Sequence, residues 1–356
     1  MSVIDAVHST VVSQKLIHSG NRDFGIPVSN IKPLIKLMVA EGATFEQLLP
    51  NTQISPTDLT NPNKNVSIHQ YLQLILNSRA TIPSSDYALR LGEQFFVNYD
   101  GVLACRVMCS ENALQAMELL IQYQALFTQV LSLDFEVVDD VGVFSIEERI
   151  PLGAAFSHFV EYAFAALYSL GRFCLGKKHI NIAFEFDQPP LNRQSKFEDF
   201  FNNPVKFNAS HNRAYLPLET LSLACVFHDE QEAQANEKLC QQYLTQIRND
   251  AEIIKKVKAA MREMPFNRIS LESICDKLHI SSRSLRRHLQ DNGSSFTVLL
   301  ENERKRIAEH KLNKNDVTVE KLAEQLGYQS AASFSRAFKR WYGVSPIQFR
   351  QGWHET

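Results

Sequence analysis

The chain has 356 residues, enough for two domains that each bury a core of their own. Its 44% hydrophobic and 21% charged residues are typical of a globular protein and exclude a disordered or fibrous one. The formal net charge of −2 is unevenly distributed, because residues 251–356 carry 19 basic against 12 acidic side chains, a net of +7, and the remainder carries −9. Only the carboxyl-terminal part is therefore expected to meet a polyanion.

Targeting, membrane and metal-binding signals are weak throughout the sequence. The first 18 residues show no basic region followed by an apolar block, so we predict no signal peptide. The most apolar stretch, 154–176, is interrupted by His158, Glu161 and Arg172, which predicts a buried amphipathic helix and no membrane span. Six scattered cysteines, without a second pair or clustered histidines, predict mostly buried, reduced thiols and no metal site. We expect a cytoplasmic protein without a cofactor.

The first 220 residues mix helical and strand patterns. Residues 133–150 contain two β-rich runs on either side of Asp139 and Asp140, which predicts a hairpin. Short strands are predicted in HINIAFEFD, PVKFN and RAYLP, between positions 179 and 217. Apolar residues recur at helical spacing in four segments: 28–49, 69–79, 112–131 with Asn112 as the N-cap, and about 154–175. These patterns predict an α+β domain over residues 1–230.

A polar segment separates this domain from a helical one. His228–Lys238 (HDEQEAQANEK) has almost no apolar periodicity, so we predict a linker and place it at residues 231–247. From about Arg248 onward the patterns are helical with short breaks. The second domain is therefore predicted over residues 248–356.

One pattern occurs twice within the last hundred residues, at Ser270–Gly293 and at Thr318–Gly343, with an offset of 48. In each copy a capped short helix, a turn and a second helix with a two-residue apolar anchor follow one another, which is typical of a helix-turn-helix unit. The turn of the second copy contains Gly327, which readily takes a left-handed conformation. His279 stands there in the first copy, and we expect its turn to be less favourable.

The second helix of each copy presents a polar and basic face. Arginine can pair bidentately with guanine O6 and N7 in the major groove, so we predict base contacts for these residues: Arg283, Arg286, Arg287, Ser333 and Arg336. Phosphate contacts are predicted for their neighbours: Ser282, Arg304, Lys305, Arg306, Ser330, Lys339 and Arg340. The alternative is that these faces are only solvated surface. Two copies in equivalent places favour DNA binding over that alternative.

The segment between the copies, 296–312, is predicted as one helix of about 17 residues, hence roughly 25 Å long. Two recognition helices on such a spacer could reach successive major grooves on one face of DNA, about 34 Å apart. The pair would then bind one asymmetric site.

The second copy, followed by GVSPIQFR at 343–350, resembles the carboxyl-terminal signature of the AraC/XylS transcription regulators. The spacer helix is similar to that family at three spaced positions: Arg304, Ala308 and Leu312. Two residues of the first copy depart from the family pattern. Cys275 stands where a small residue such as Ala is usual, and His279 stands at the turn. Neither departure removes a side chain that is predicted to face DNA.

The amino-terminal part resembles, more loosely, the arabinose-binding-type domain of one branch of the same family. The likeness lies in N-x-x-x-A-x-x-x-L-x-x-Y at 112–123, in the strand pair that follows, and in F-x-x-P-V-x-F-N at 201–208. The resemblance implies an effector-sensing domain that also forms a homodimer. The fold class it implies is an α+β sensing domain followed by an all-α domain of two helix-turn-helix units joined by a long helix.

The resemblance also implies the partners: double-stranded promoter DNA, RNA polymerase and a small-molecule effector. It favours an activator of transcription. A ligand-independent DNA-binding regulator or a repressor stays open as the alternative.

An enzyme fused to a DNA-binding module is disfavoured, since the sequence has no G-x-S-x-G, Walker A, H-E-x-x-H or G-x-G-x-x-G motif. His158 and Glu161 lie one helical turn apart, but a core or surface histidine is the favoured interpretation. Aromatic residues recur in 156–173 and 184–201, and most are predicted to be core. Some could line a pocket for an apolar or fatty-acid-like effector, with basic residues at its mouth: Arg172, Lys177 or Lys178.

Overall fold

The computed structural model describes residues 25–61, 64–94, 101–291, 295–314, 317–342 and 344–351. The chain divides into two compact units, Met1–Ile247 and Arg248–Thr356. Among the described residues, no helix combines the length and the apolar content that a bilayer crossing requires. The described residues also contain no cluster of three or more side chains that could hold a metal ion.

The first unit combines helices with two sheets. Its helices are α1 (Val28–Ala40), α2 (Phe45–Leu48), α3 (Ile68–Thr81), α4 (Tyr87–Glu93), α5 (Val102–Met108), α6 (Ala113–Gln122), α7 (Phe156–Cys174), α8 (Gln194–Phe201), α9 (Leu218–Leu221) and the first part of α10 (Glu230–Arg262).

The strands of the first unit form an antiparallel pair and a five-stranded sheet. The pair is β1 (Gly25–Pro27) with β2 (Asn65–Ser67). The sheet has the order β3-β4-β7-β5-β6, and only β5 and β6 are parallel. Its strands are β3 (Leu131–Val138), β4 (Val141–Glu148), β5 (Ala183–Glu185), β6 (Val205–Lys206) and β7 (Asn212–Pro217).

The predicted hairpin and short strands are confirmed. Strands β3 and β4 pair along their whole length, with Phe135 opposite Phe144. Asp139 and Asp140 form the two-residue turn, and both have positive φ (48° and 63°). A turn of this kind matches the twist of an antiparallel hairpin, and aspartate tolerates it better than most residues.

The long apolar helix predicted near 154–175 is observed as α7, and it packs against the sheet in the main core. A second core holds α1, α3 and the chain around them. Helix α4 approaches α7 closely because Gly92 has no side chain. A Cβ atom at Gly92 would lie 2.4 Å from the carbonyl oxygen of Tyr162. Gly92 therefore fixes the packing of these two helices.

The helix predicted at 112–131 is shorter than expected. Asn112 is its N-cap, since Asn112 Oδ1 accepts a hydrogen bond from the Gln115 amide at 3.0 Å. The helix ends at Gln122, and β3 begins at Leu131. Gln124 redirects the chain, because its side chain hydrogen bonds both the amide and the carbonyl of Leu133 (3.1 and 3.0 Å). If the helix continued to residue 131 as predicted, the amide and the carbonyl of Leu133 would lack this side-chain partner.

Residues 231–247, predicted as a linker, are helical and belong to α10. They pack on the first unit through one stripe at helical spacing: the buried Cys240 and the half-buried Tyr243, Leu244 and Ile247. Arg106 Nε also donates to Glu237 Oε2 at 2.9 Å. The stripe begins after the polar segment 228–238, so the composition of that segment did not show it.

The second unit is entirely helical among its described residues. It contains the end of α10 and α11 (Leu271–Leu278), α12 (Ser282–Asp291), α13 (Phe296–Lys314), α14 (Val319–Gln325), α15 (Ala331–Tyr342) and α16 (Pro346–Arg350). Three residues separate α11 from α12, and five separate α14 from α15. Helix α13 lies between the two pairs and extends two residues beyond the predicted end at 312.

Candidate nucleic-acid interface

The first helix of each pair begins at a side-chain cap. Ser270 Oγ accepts from the Ser273 amide at 3.1 Å, and Thr318 Oγ1 accepts from the Lys321 amide at 3.3 Å. Each cap satisfies a donor that the first turn leaves free. The inner faces are buried, as the apolar spacing predicted, through Leu271, Ile274 and Cys275 in α11 and through Val319, Leu322 and Ala323 in α14.

The turns after α11 and α14 share one backbone conformation. His279 has φ 53° and ψ 43°, and Gly327 has φ 72°, so both are left-handed. The next amide then bonds back to the helix, from Ile280 to Cys275 O at 3.1 Å and from Tyr328 to Ala323 O at 2.9 Å. His279 thus makes the same turn as glycine, with the steric cost of a Cβ atom.

Helix α12 turns an arginine-rich face away from its core. Leu285 and Leu289 are fully buried, which places Arg283, Arg286 and Arg287 on the opposite, exposed side. No described residue forms a hydrogen bond or ion pair with any of these three guanidinium groups. Three fixed positive charges are therefore available to an external ligand.

Helix α15 has the same arrangement as α12, with two buried phenylalanines in place of the two leucines. Phe334 and Phe338 are fully buried, and Phe338 stacks on Tyr342 with ring centroids 4.6 Å apart. Arg336 and Lys339 are exposed. Both side chains can reach a ligand without first leaving an internal partner in the described part of the chain.

The predicted serine contacts are partly engaged at the helix start. Ser330 Oγ accepts from the Ser333 amide at 3.1 Å, and Ser333 Oγ donates to the Ser330 carbonyl at 2.7 Å. Ser333 is half-buried, so its hydroxyl serves the cap of α15. Ser282 is half-buried at the start of α12, and Ser330 is exposed.

Two predicted phosphate-binding residues of α13 stack on aromatic rings. The Arg304 guanidinium carbon lies 4.8 Å from the centroid of the Tyr328 ring. The Lys305 ammonium lies 5.8 Å from the centroid of Trp341. These cation–π contacts join α13 to the second helix pair.

Arg306 is exposed, but it also binds a buried carboxylate. Its Nε donates to Glu303 Oε2 at 3.1 Å. Glu303 also receives a bidentate pair from Arg262, the last residue of α10, at 3.0 and 2.9 Å. Burial alone would raise the pKa of Glu303, but the two guanidinium groups hold this pKa below its ordinary value.

Arg340 is likewise engaged by a carboxylate on α13. Glu301 Oε1 accepts from Arg340 Nη2 and from Trp341 Nε1. Burial opposes ionisation of Glu301, yet these hydrogen bonds lower its pKa. The sequence did not indicate the roles of Glu301 and Glu303, because the run E-R-K-R at 303–306 is typical of a solvated basic face.

The candidate effector residues lie at the end of α7 in the first unit. The Arg172 guanidinium carbon is 5.7 Å from the centroid of the Tyr168 ring, and Lys177 and Lys178 are exposed. The nearby aromatic rings are buried against one another, with Phe184 and Phe201 centroids 4.1 Å apart. These rings form core, as most of them were predicted to do.

The first unit also buries a charged cluster that the sequence did not reveal. Glu161 and Arg193 are each at most 1% exposed and form a bidentate ion pair (2.9 Å for both contacts). Arg79 Nη2 donates to the same carboxylate at 2.8 Å. His158 is a core histidine that stacks on Tyr87, as the favoured interpretation predicted.

Two family models match the chain, one in each unit. Residues 42–224 match the arabinose-binding domain of AraC transcription regulators, which is more than half of the chain. Residues 274–352 match a helix-turn-helix domain. The chain belongs to the AraC family. This AraC-family protein is therefore a DNA-binding transcription regulator, with an amino-terminal domain of the effector-binding type.

Relatives of this AraC-family chain match it over most of their length. The ornithine utilization regulator of Pseudomonas aeruginosa is 26% identical over 92% of this chain and 96% of its own. The transcriptional regulator VqsM of the same organism is 24% identical over 76% of this chain and 85% of its own. The crystal structure of the transcriptional regulator CdpR, also from P. aeruginosa, covers 90% of this chain and 97% of its own, with 22% identity and a TM-score of 0.44.

Proposed function

We propose that the protein binds an asymmetric promoter site through both helix pairs, with α12 and α15 as the recognition helices. The observation that carries this proposal is the exposed arginine face of α12, held outward by the buried Leu285 and Leu289. Helix α15 repeats the arrangement around Phe334 and Phe338. A basic helix face opposite an apolar anchor is what the second helix of such a unit presents to the major groove.

The base contacts are assigned to Arg283, Arg286 and Arg287 on α12 and to Arg336 on α15. All four guanidinium groups are exposed, and guanine offers each a bidentate acceptor pair. Ser333 would contact a base only after its hydroxyl leaves the Ser330 carbonyl.

The phosphate contacts divide into two groups. Lys339 and Ser282 would act directly, and Ser330 would do so with a hydroxyl that already accepts from the Ser333 amide. The other four cations would each exchange an internal partner for a phosphate oxygen: Arg304, Lys305, Arg306 and Arg340. We propose that the second group contributes less to affinity, because the lost partner offsets the new contact.

Alanine variants of the recognition helices test this assignment. Arg287→Ala and Arg336→Ala should each cost about 1–3 kcal/mol at the specific site and relax base choice there. Lys255→Ala, an exposed cation of α10, is the matched control and should leave base choice unchanged. The measurement is quantitative footprinting on a promoter identified by genome-wide mapping of binding sites. Wild-type footprints from both arginine variants would contradict the assignment.

We further propose that the protein is a homodimer that activates transcription when a small molecule binds the first unit. The arabinose-binding-type domain supports effector binding, and the family resemblance supports activation. A promoter should then carry two sites, and effector binding should change the contact with RNA polymerase. Transcription of that promoter in vitro, with and without candidate metabolites, tests this. Unchanged or reduced transcription under every condition would favour the alternative of a ligand-independent regulator or a repressor.

A further inference from the structure

The buried cluster of Arg79, Glu161 and Arg193 carries an excess of positive charge. Glu161 accepts four hydrogen bonds in all, two from Arg193, one from Arg79 and one from Gln188. No other acidic side chain among the described residues lies within ion-pair distance of either guanidinium. Two guanidinium groups and one carboxylate leave a net charge of +1.

This excess charge is buried, and buried charges are normally balanced. The side chains of Arg193 and Glu161 are 2% and 1% exposed, and that of Arg79 is 16% exposed. A buried, uncompensated charge is costly, and proteins usually pair it or bind a counter-ion. The cluster therefore has one anionic partner too few.

Polar groups that could bind such a partner are present and unused. The Nε groups of Arg79 and Arg193 and the Nδ1 atom of His158 are buried and have no hydrogen-bond partner in the described part of the chain. Burial, with Arg79 nearby, lowers the pKa of His158 to about 3, so the ring is neutral and adds no charge. Aromatic rings flank it: Tyr71, Tyr87 and Phe159.

We propose that this cluster binds a monoanionic carboxylate, and that this carboxylate is the effector of the first unit. The inference rests on the proposed function only in giving the first unit an effector. Arg79 is the residue that would receive the ligand, because it gives Glu161 a single hydrogen bond whereas Arg193 gives two. The ligand would reach Arg79 through its partly exposed side.

The class of ligand follows from charge and geometry. A guanidinium fork matches the planar oxygens of a carboxylate, and a net charge of +1 matches one negative charge. A phosphate near neutral pH carries more charge than the site can balance. The aromatic neighbours favour a carboxylate with an apolar body over one with further charges.

The test uses the purified full chain and thermal unfolding at constant ionic strength. The probes are acetate, hexanoate and benzoate, each compared with its uncharged amide and with inorganic phosphate. At least one carboxylate should raise the Tm with increasing concentration, by about 5 °C or more at a hundredfold excess over Kd. The amides and phosphate should give a smaller shift or none.

The decisive variant is Arg79→Gln, which removes the excess charge and leaves the Arg193 pair with Glu161 intact. It should weaken carboxylate binding at least tenfold, and its own Tm should equal or exceed that of the wild-type protein. The matched control is Lys36→Gln, which removes one exposed charge of α1 and should bind like the wild type. Isothermal titration with the best carboxylate gives the affinities independently of stability.

Three results would overturn the inference: no shift with any carboxylate, an unchanged affinity in Arg79→Gln, or a loss in Lys36→Gln alone. The proposed function fails separately. If no carboxylate binds but another ligand alters promoter binding equally in the wild type and in Arg79→Gln, effector sensing stands and the carboxylate site does not. If a carboxylate binds at Arg79 without altering promoter binding, the site stands and its role as effector site does not.

Discussion

His279 and Gly327 occupy equivalent positions after the first helix of each pair, and both have a left-handed backbone. A residue with a Cβ atom is strained in this conformation by roughly 1 kcal/mol, and glycine is not. His279→Gly should therefore raise the free energy of unfolding of the second unit by about 0.5–1 kcal/mol. Urea unfolding of the full chain, followed by a probe in the second unit, measures the change.

The reverse substitution provides the control. Gly327→Ala should destabilise the protein, because the left-handed φ persists and the new Cβ would lie 3.0 Å from the Phe266 carbonyl group. Equal stability of His279→Gly and the wild type would show that the histidine side chain compensates for its own backbone strain.

His158 predicts a pH dependence of stability. Burial, with Arg79 nearby, lowers its pKa to about 3 in the folded protein, against about 6.5 in the unfolded chain. Below pH 6.5 the unfolded chain therefore binds a proton that the folded protein does not, and acid favours unfolding. Between pH 7.5 and 5.5 this group should remove roughly 1 kcal/mol of stability.

The measurement compares the wild-type protein with His158→Phe, which keeps a ring against Tyr87. The difference in unfolding free energy between the two pH values should be smaller in the variant by that amount. The same pH dependence in both proteins would show that His158 takes up a proton while folded.

At the residue scale, the sequence predicts what depends on neighbours along the chain. The caps Ser270 and Thr318 and the anchor Phe334 follow from spacing alone. Glu161 does not, because its partners Arg79 and Arg193 are 82 and 32 residues away. Glu303 bonds Arg262 across 41 residues for the same reason. Such pairs exist only once the helices have packed.

Among the elements, α10 differs most from its prediction, because its first part was predicted as a linker and is a helix packed on the first unit. Its first part is fastened by Glu237, which accepts hydrogen bonds from Arg106 and from the Tyr123 hydroxyl. Glu237→Ala should cost about 1–3 kcal/mol, since both buried donors lose their acceptor. It should also speed amide hydrogen exchange in residues 230–247, which mass spectrometry can follow.

Glu232→Ala is the matched control for this helix, because Glu232 is exposed. It should leave both stability and exchange nearly unchanged. Identical exchange in the two variants would mean that 230–247 behaves as the unattached linker that its composition indicates.

The contact of Glu301 with α15 predicts an effect on affinity. Glu301→Gln keeps an acceptor for Trp341 but releases Arg340 from its ion pair. Arg340 can then neutralise a phosphate, so affinity for all DNA sequences should rise. The slope of log K against log salt should steepen by up to about 0.9. Fluorescence anisotropy on random and specific duplexes between 50 and 200 mM salt is the measurement.

Glu309→Gln removes one carboxylate from the same helix α13, where Glu309 Oε2 accepts from the Tyr342 hydroxyl and binds no cation in the described residues. Its salt slope should match that of the wild type. The same steepening in both variants would attribute the effect to net charge and leave Arg340 without a special role.

Helices and strands with strong repeats were predicted well, and short ones were not. The apolar face of α7 predicted that helix, and the Asp139–Asp140 turn predicted the hairpin of β3 and β4. Helices α4, α5 and α8 have seven or eight residues each, about two turns, so periodicity cannot distinguish them from a loop. Their positions depend on packing, as the approach of α4 to α7 at Gly92 shows.

For the whole molecule, the uneven charge explains how a chain of net −2 can bind DNA. Residues 251–356 carry +7, yet several of those cations pair internally with Glu301 or Glu303. The positive charge proposed to contact DNA is therefore concentrated on α12 and at Arg336 and Lys339. Affinity should depend on these few residues more than on total charge.

Strand β3 has one further consequence for the molecule. It lies at the edge of the five-stranded sheet, and its exposed residues include the acidic Asp134 and Glu136 beside the apolar Val137 and Val138. The Gln124 side chain covers this edge at Leu133, and the rest of the eight-residue edge strand is a template for joining another sheet. Two copies that met along it would bring carboxylates of both strands together. Repulsion between these carboxylates would guard the edge against such an association.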